Sequence, residues 1–184
     1  MVTAVCGKVC GVASDLQRKK TALVFTAMDV NGDGFLERRD FDALAERWSA
    51  LRGGADTAEL REVLTSWWYA LQLVTDADGD RRVTLDEAQS VSDRLAEKKG
   101  LVMATARSIF DAVDEDGDGR VTAAEYNQLI QAWTGRAAFT DDVFRLLDLN
   151  GDGTLSKAEF QRHWVEFWTG DDASAPGTHV FGRV

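Results

Sequence analysis

The sequence predicts an all-α protein in which four helix–loop–helix units pair as two lobes and pack into one compact domain. Three observations carry this. The 184 residues include a single proline, the residue that helices tolerate least. Apolar residues recur at three- and four-residue spacing, the stripe of an amphipathic helix. An acidic, glycine-rich segment of twelve residues appears four times: DVNGDGFLERRD (29–40), DADGDRRVTLDE (76–87), DEDGDGRVTAAE (114–125) and DLNGDGTLSKAE (148–159). Their first residues lie 47, 38 and 34 positions apart, a repeat of supersecondary size.

Taken in order, residues 1–13 are expected to form a tail, 14–99 the first pair of units, 100–170 the second pair, and 171–184 a second tail. Leading helices show apolar residues at matching offsets: Val24, Phe25 and Met28 before the first loop, Ile109, Phe110 and Val113 before the third, Val143, Phe144 and Leu147 before the fourth. Unit 2 is poorer, with Gln72 and Thr75 at two of those offsets. Trailing helices begin with Phe41, Tyr126 and Phe160 and continue through Leu44 and Trp48, Leu129 and Trp133, and Trp164 and Phe167. Gly53-Gly54 should end unit 1, with Asp56 or Thr57 capping the next helix; Lys98-Lys99-Gly100 should close unit 2. Gly135 separates units 3 and 4. Thr140 stands at an N-cap position, with Phe139 and Phe144 placed as a hydrophobic staple around it.

The loops carry the chemistry of a calcium site. Calcium takes six to eight oxygen ligands in flexible geometry, and a loop can supply them from positions 1, 3 and 5, the backbone carbonyl of 7, position 9, and a carboxylate at 12. Loop 1 offers Asp29, Asn31, Asp33, the carbonyl of Phe35, Glu37 and Asp40. Loop 2 offers Asp76, Asp78, Asp80, the carbonyl of Arg82, Thr84 and Glu87. Loop 3 offers Asp114, Asp116, Asp118, the carbonyl of Arg120, Thr122 and Glu125. Loop 4 offers Asp148, Asn150, Asp152, the carbonyl of Thr154, Ser156 and Glu159. Loops 3 and 4 match throughout. In loop 1, Asp40 is one methylene shorter than Glu, and a lower coordination number favours magnesium as a competitor. In loop 2, Arg81 occupies position 6, where a left-handed backbone favours glycine. Three or four calcium ions are therefore expected. Thr84/Glu87, Thr122/Glu125 and Ser156/Glu159 also form capping boxes. Position 8 is Leu36, Val83, Val121 and Leu155, and pairing of Leu36 with Val83 and Val121 with Leu155 would join the units as 1 with 2 and 3 with 4. This is the EF-hand pattern.

Charge agrees. Of 31 acidic residues, 15 are proposed loop ligands; the other 16 stand against 21 basic residues, so the net −10 resides in the loops. A net acidic chain is a poor fit to nucleic acid or to an anionic membrane. No apolar run reaches membrane-spanning length and no secretory leader is legible, so the cytoplasm is the expected compartment. Cys6 and Cys10 are too few for a disulfide scaffold or a metal site of their own. Trp67-Trp68-Tyr69 and the aromatic run around Trp164, Phe167 and Trp168 fit a core better than a partner-binding face, and His163 has no second histidine nearby to share a softer metal. No nucleophile–base constellation or phosphate-binding glycine motif points to an enzyme.

Over about residues 14–170 the chain resembles the sarcoplasmic calcium-binding protein family, and its prokaryotic relative calerythrin more closely. The marks are four hands, the wide step between loops 1 and 2, Asp40 closing loop 1, and aromatic helices. The resemblance implies two halves packed together, a calcium-buffering role, and frequent loss of one site, commonly the second. A calcium sensor acting on a target protein is the alternative. A sensor's groove is rich in methionine, and here only Met28 and Met103 follow the initiator. A monomeric buffer is the expected role.

Overall fold

The computed structural model describes residues 14–53, 58–76, 78–95, 99–136 and 140–183. Their elements run α1 (Asp15–Met28), β1 (Phe35–Leu36), α2 (Arg38–Leu51), α3 (Ala58–Thr75), β2 (Val83–Thr84), α4 (Leu85–Leu95), α5 (Lys99–Val113), β3 (Arg120–Thr122), α6 (Ala123–Thr134), α7 (Asp141–Leu147), β4 (Thr154–Ser156), α8 (Lys157–Thr169) and a 3-10 turn, Pro176–His179. The all-α architecture is as expected. The only strands among the described residues are the short ribbons between loops: Leu36 faces Val83, and Val121 faces Leu155, both antiparallel. The four branched apolar residues at position 8 are buried there.

Local chemistry sets the helix ends. Ser14 caps α1 by accepting the Gln17 N–H. Thr122 and Ser156 form the expected reciprocal boxes with Glu125 and Glu159. Thr84 and Glu87 make the same bonds at the start of α4. Gly135 ends α6 in the left-handed conformation, where its N–H reaches the Gln131 carbonyl. Thr140 occupies the N-cap position of α7, but its backbone is already helical and its hydroxyl makes no capping bond. Its carbonyl accepts the Phe144 N–H instead. Phe139, Gly54, Asp56, Thr57, Lys98 and residues 1–13, with both cysteines, lie outside the described residues.

Two expectations about boundaries differ from the structure. Lys99 and Gly100 open α5, so they begin unit 3 rather than close unit 2. Residues 171–183 are not a tail. The segment turns at Pro176, and Val180 and Phe181 are buried in the core. Gly177 permits this: a Cβ there would lie 2.6 Å from the His163 carbonyl oxygen on α8. Tyr126 donates its hydroxyl to the Val180 carbonyl at 2.8 Å and ties the segment down from α6. Burial drives that phenol's pKa upward.

One core joins both halves. Trp67 on α3 meets Trp133 on α6 and Trp164 on α8, with ring centroids 5.7 and 5.6 Å apart. Trp48, Trp68, Trp133 and Trp164 are buried and Trp67 and Trp168 partly so, as the core reading required; Tyr69 is exposed. Lys20 is buried on α1, with Nζ donating to the carbonyls of Glu166, Phe167 and Gly170 at the end of α8. A cation there complements the carbonyl end of the helix, where the Glu166 carbonyl also accepts the Gly170 N–H. Burial lowers its pKa, while Asp171, Glu166 and Asp172 oppose the shift. His163 is a core residue: its Nε2 lies 2.7 Å from the Leu147 carbonyl oxygen and its Nδ1 3.5 Å from the Glu166 carboxylate. Among the described residues no helix is long and apolar enough to cross a membrane.

Candidate metal centres

Backbone N–H groups shape each loop from within. The position-1 carboxylates accept from the amides ahead of them: Asp29 from Gly32 and Gly34, Asp76 from Gly79 and Arg81, Asp114 from Asp118 and Gly119, Asp148 from Gly151 and Gly153, at 2.8–3.1 Å. The residues at position 3 (Asn31, Asp78, Asp116, Asn150) each accept the position-5 N–H, and those at position 5 (Asp33, Asp80, Asp118, Asp152) the position-7 N–H. These bonds close the loop and gather its side chains around one centre. Asp114, Asp116 and Glu125 have oxygens within 4.8 Å of one another, as do Asp76, Asp78 and Asp80. A hard donor set of carboxylate oxygens at this spacing fits calcium and excludes metals that want sulfur or imidazole.

Position 12 shows how the loops differ. Glu125 Oε1 accepts the Glu115 N–H, and its Oε2 accepts the Thr122 N–H and hydroxyl, all at 2.8 Å. Burial disfavours its charge, but these donors and the Arg52 guanidinium outweigh it and hold the carboxyl below its ordinary range. Glu87 and Glu159 make the same pair of bonds to Thr84 and Ser156. Asp40 reaches the corresponding amides of Val30 and Glu37 at 3.2 and 2.9 Å despite its shorter chain. It is 1% exposed, and burial raises its pKa, with Asp29 and Asp33 adding to the rise against those two amides. Lengthening this side chain lets both of its oxygens reach an ion in the loop. Asp40→Glu should raise calcium affinity in loop 1 and weaken magnesium competition there, as read by site-resolved NMR titration with each ion; unchanged selectivity would count against it.

Loop 2 carries the strain that its sequence foretells. Arg81 has φ +64°, the only positive φ outside glycine among the described residues. That conformation costs a side-chain-bearing residue ~1–2 kcal/mol. A free loop that relaxes out of it must recover the strain on binding. Arg81→Gly should therefore tighten calcium in loop 2 by up to about tenfold, resolved from the other hands by NMR. No change at that site would show that position 6 is not limiting.

Three arginine side chains act at the loops in ways that the ligand pattern does not show. Arg39 pairs with Asp33 at 2.5 Å and with Glu37 at 2.8 Å, and Arg82 pairs with Glu37 at 2.8 Å. Loop 1 therefore holds two of its acids against guanidinium groups that an ion must displace. The Arg82 contact was implicit in the ribbon: if Leu36 faces Val83, Glu37 lies beside Arg82. Arg52, at the end of α2, donates to the carbonyls of Ala112 and Val113 at 2.6 and 3.1 Å and so joins the first half to the threshold of loop 3.

Comparison with known proteins agrees with this geometry. An EF-hand domain pair model matches residues 103–165 and an EF-hand model residues 22–45. Sarcoplasmic calcium-binding protein 1 of Astacus leptodactylus is 27% identical over 85% of this chain and 90% of its own length. Probable calcium-binding protein CML16 of Oryza sativa subsp. japonica is 30% identical over 84% of this chain and 79% of its own length. The calcium-loaded apo form of the coelenterazine-binding protein of Renilla muelleri superposes with a TM-score of 0.75, at 24% identity, over 94% of this chain and all of that one; at that identity the likeness speaks for the fold alone. With two closed ribbons, four loops of hard oxygen donors and these matches, the chain belongs to the EF-hand family of calcium-binding proteins and is similar to the sarcoplasmic members.

Proposed function

We propose that the chain is a cytoplasmic calcium buffer of the sarcoplasmic type, a monomer holding three or four calcium ions through the 24 loop residues named above, with magnesium competing first in loop 1. The observation that carries this reading is Phe181. A sensor keeps an apolar groove for a target helix and opens it on binding calcium. Here the aromatic faces of α6 and α8 are already covered from within the chain. The Phe181 ring lies 4.9–5.3 Å from those of Trp133, Trp164 and Phe167. A groove filled by its own chain suits a fixed core, and a fixed core suits a buffer.

Dye binding tests the reading. Calcium should decrease binding of anilinonaphthalene sulfonate and move tryptophan emission to shorter wavelength, because crowded unneutralised carboxylates loosen the calcium-free form. Increased dye binding at constant helical content would establish opening, and the sensor reading would replace this one.

A further inference from the structure

An apolar cavity of about 160 Å³, partly open to solvent, lies where α1, α2, α3, α4, α5 and α8 converge. Phe25 and Met28 border it from α1, Trp67 and Leu71 from α3, and Trp164 and Trp168 from α8. None of its lining residues is a proposed loop ligand. Apolar walls left without packing partners forgo stabilisation unless something fills the space between them. Yet the chain places Ala70, Ala88 and Ser92 on the wall, where larger side chains could close it.

The wall offers little to water. Thr21 and Ser92 hydrogen-bond each other at 2.7 Å. Thr105 donates to the Val102 carbonyl and accepts the Trp164 indole N–H at 3.2 Å. Two further indole N–H groups belong to wall residues, those of Trp67 and Trp168, and that of Trp67 is buried and without a hydrogen-bond partner among the described residues. A buried water needs two to four polar partners, and apolar cavities of about 150 Å³ stay dry and take up benzene-sized molecules. The indole and phenyl rings around the space suit flat aromatic contact. A buried donor left unmet costs stability, and a ligand acceptor would restore it.

We propose that this cavity binds a small, neutral, flat aromatic molecule of one or two rings carrying one carbonyl-type acceptor, which the Trp67 N–H meets. This goes beyond calcium buffering and uses different residues, so calcium titration of the same samples separates a failure of one reading from a failure of the other.

The probe is 2-acetylnaphthalene, a neutral two-ring ketone, added to the calcium-saturated 184-residue chain. Calorimetry should give one saturable site, with quenching of tryptophan emission. Ala70→Phe fills the space and should weaken the probe at least tenfold while calcium stoichiometry stays the same. Trp67→Phe keeps a ring and removes the N–H. It should weaken 2-acetylnaphthalene about fivefold more than it weakens naphthalene, which has no acceptor. Non-saturable uptake, or unchanged affinity in Ala70→Phe, would overturn the site. Should Ala70→Phe fail to fold, the two-probe comparison on Trp67→Phe decides alone: an equal effect on both probes overturns the proposal.

Discussion

Chelating calcium should lower the unfolding temperature of this chain by about 20 °C or more. A ligand that binds only the folded state at a thousand times its Kd adds about 4.1 kcal/mol per site. Loops 3 and 4 have complete donor sets, so two filled hands already contribute about 8 kcal/mol, comparable with the ~5–15 kcal/mol that holds a whole domain. At ~2–4 °C per kcal/mol for a chain of this size, the shift is large. The structure supplies the reason for the sensitivity. In loop 3, Asp114, Asp116 and Glu125 bring oxygens within 4.8 Å of one another, and without an ion they repel. The same loop is tied to the first half by Arg52 and ends at α6, which carries Trp133, so its loosening reaches the shared core. Melting curves at a series of buffered free-calcium concentrations check this. The midpoint should climb with the logarithm of free calcium, and magnesium should give part of the rise. A shift of under about 5 °C would mean that the loops and the core fold independently, against the linkage argument.

Much of the loop architecture was legible because it is local. A twelve-residue segment fixes its own turn: position 1 accepts amides three to five places along, position 12 caps the helix that it opens, and position 8 presents one branched residue to a partner loop. The pairings of Leu36 with Val83 and Val121 with Leu155 follow from that regularity. So does the strain at Arg81, since position 6 has the same backbone whatever residue occupies it. What was not legible depends on contacts distant in sequence. Arg52 meets carbonyls some sixty residues away, and no periodicity announces such a contact. Thr140 has the composition of a cap without its backbone geometry. The last fourteen residues contain Gly, Pro and Asp in the proportions of a loop, and that composition hid the adjacent pair Val180 and Phe181, whose burial depends on a gap between α6 and α8. The cavity belongs to the same class, because six helices make it and no one of them contains it.

That hidden pair yields the second large effect. Phe181→Ala should destabilise the calcium-loaded chain by ~3–5 kcal/mol, the usual cost of removing a buried ring, or roughly 6–20 °C at this chain length. Phe181 is 6% exposed and touches four rings: those of Trp133, Trp164, Phe167 and Trp168. Collapse cannot easily heal the gap, because Gly177 pins the segment against α8 and Tyr126 holds the Val180 carbonyl. The variant should also change the response to calcium. With the ring gone, Trp133 and Trp164 lose their cover, and the calcium-loaded form should gain binding of anilinonaphthalene sulfonate that the parent lacks. The sulfonate keeps this dye out of the neutral cavity beside α1, since an unpaired charge is costly to bury, so the signal reports the uncovered face. Phe181→Leu should recover most of the stability and suppress the dye, because it restores apolar volume without the ring. Calcium stoichiometry should be the same in all three proteins, as the four rings around Phe181 belong to none of the proposed loop ligands. If Phe181→Ala melts with the parent and stays dark with the dye, the C-terminal segment does not seal the aromatic face, and the face is then free to take a partner helix when calcium binds.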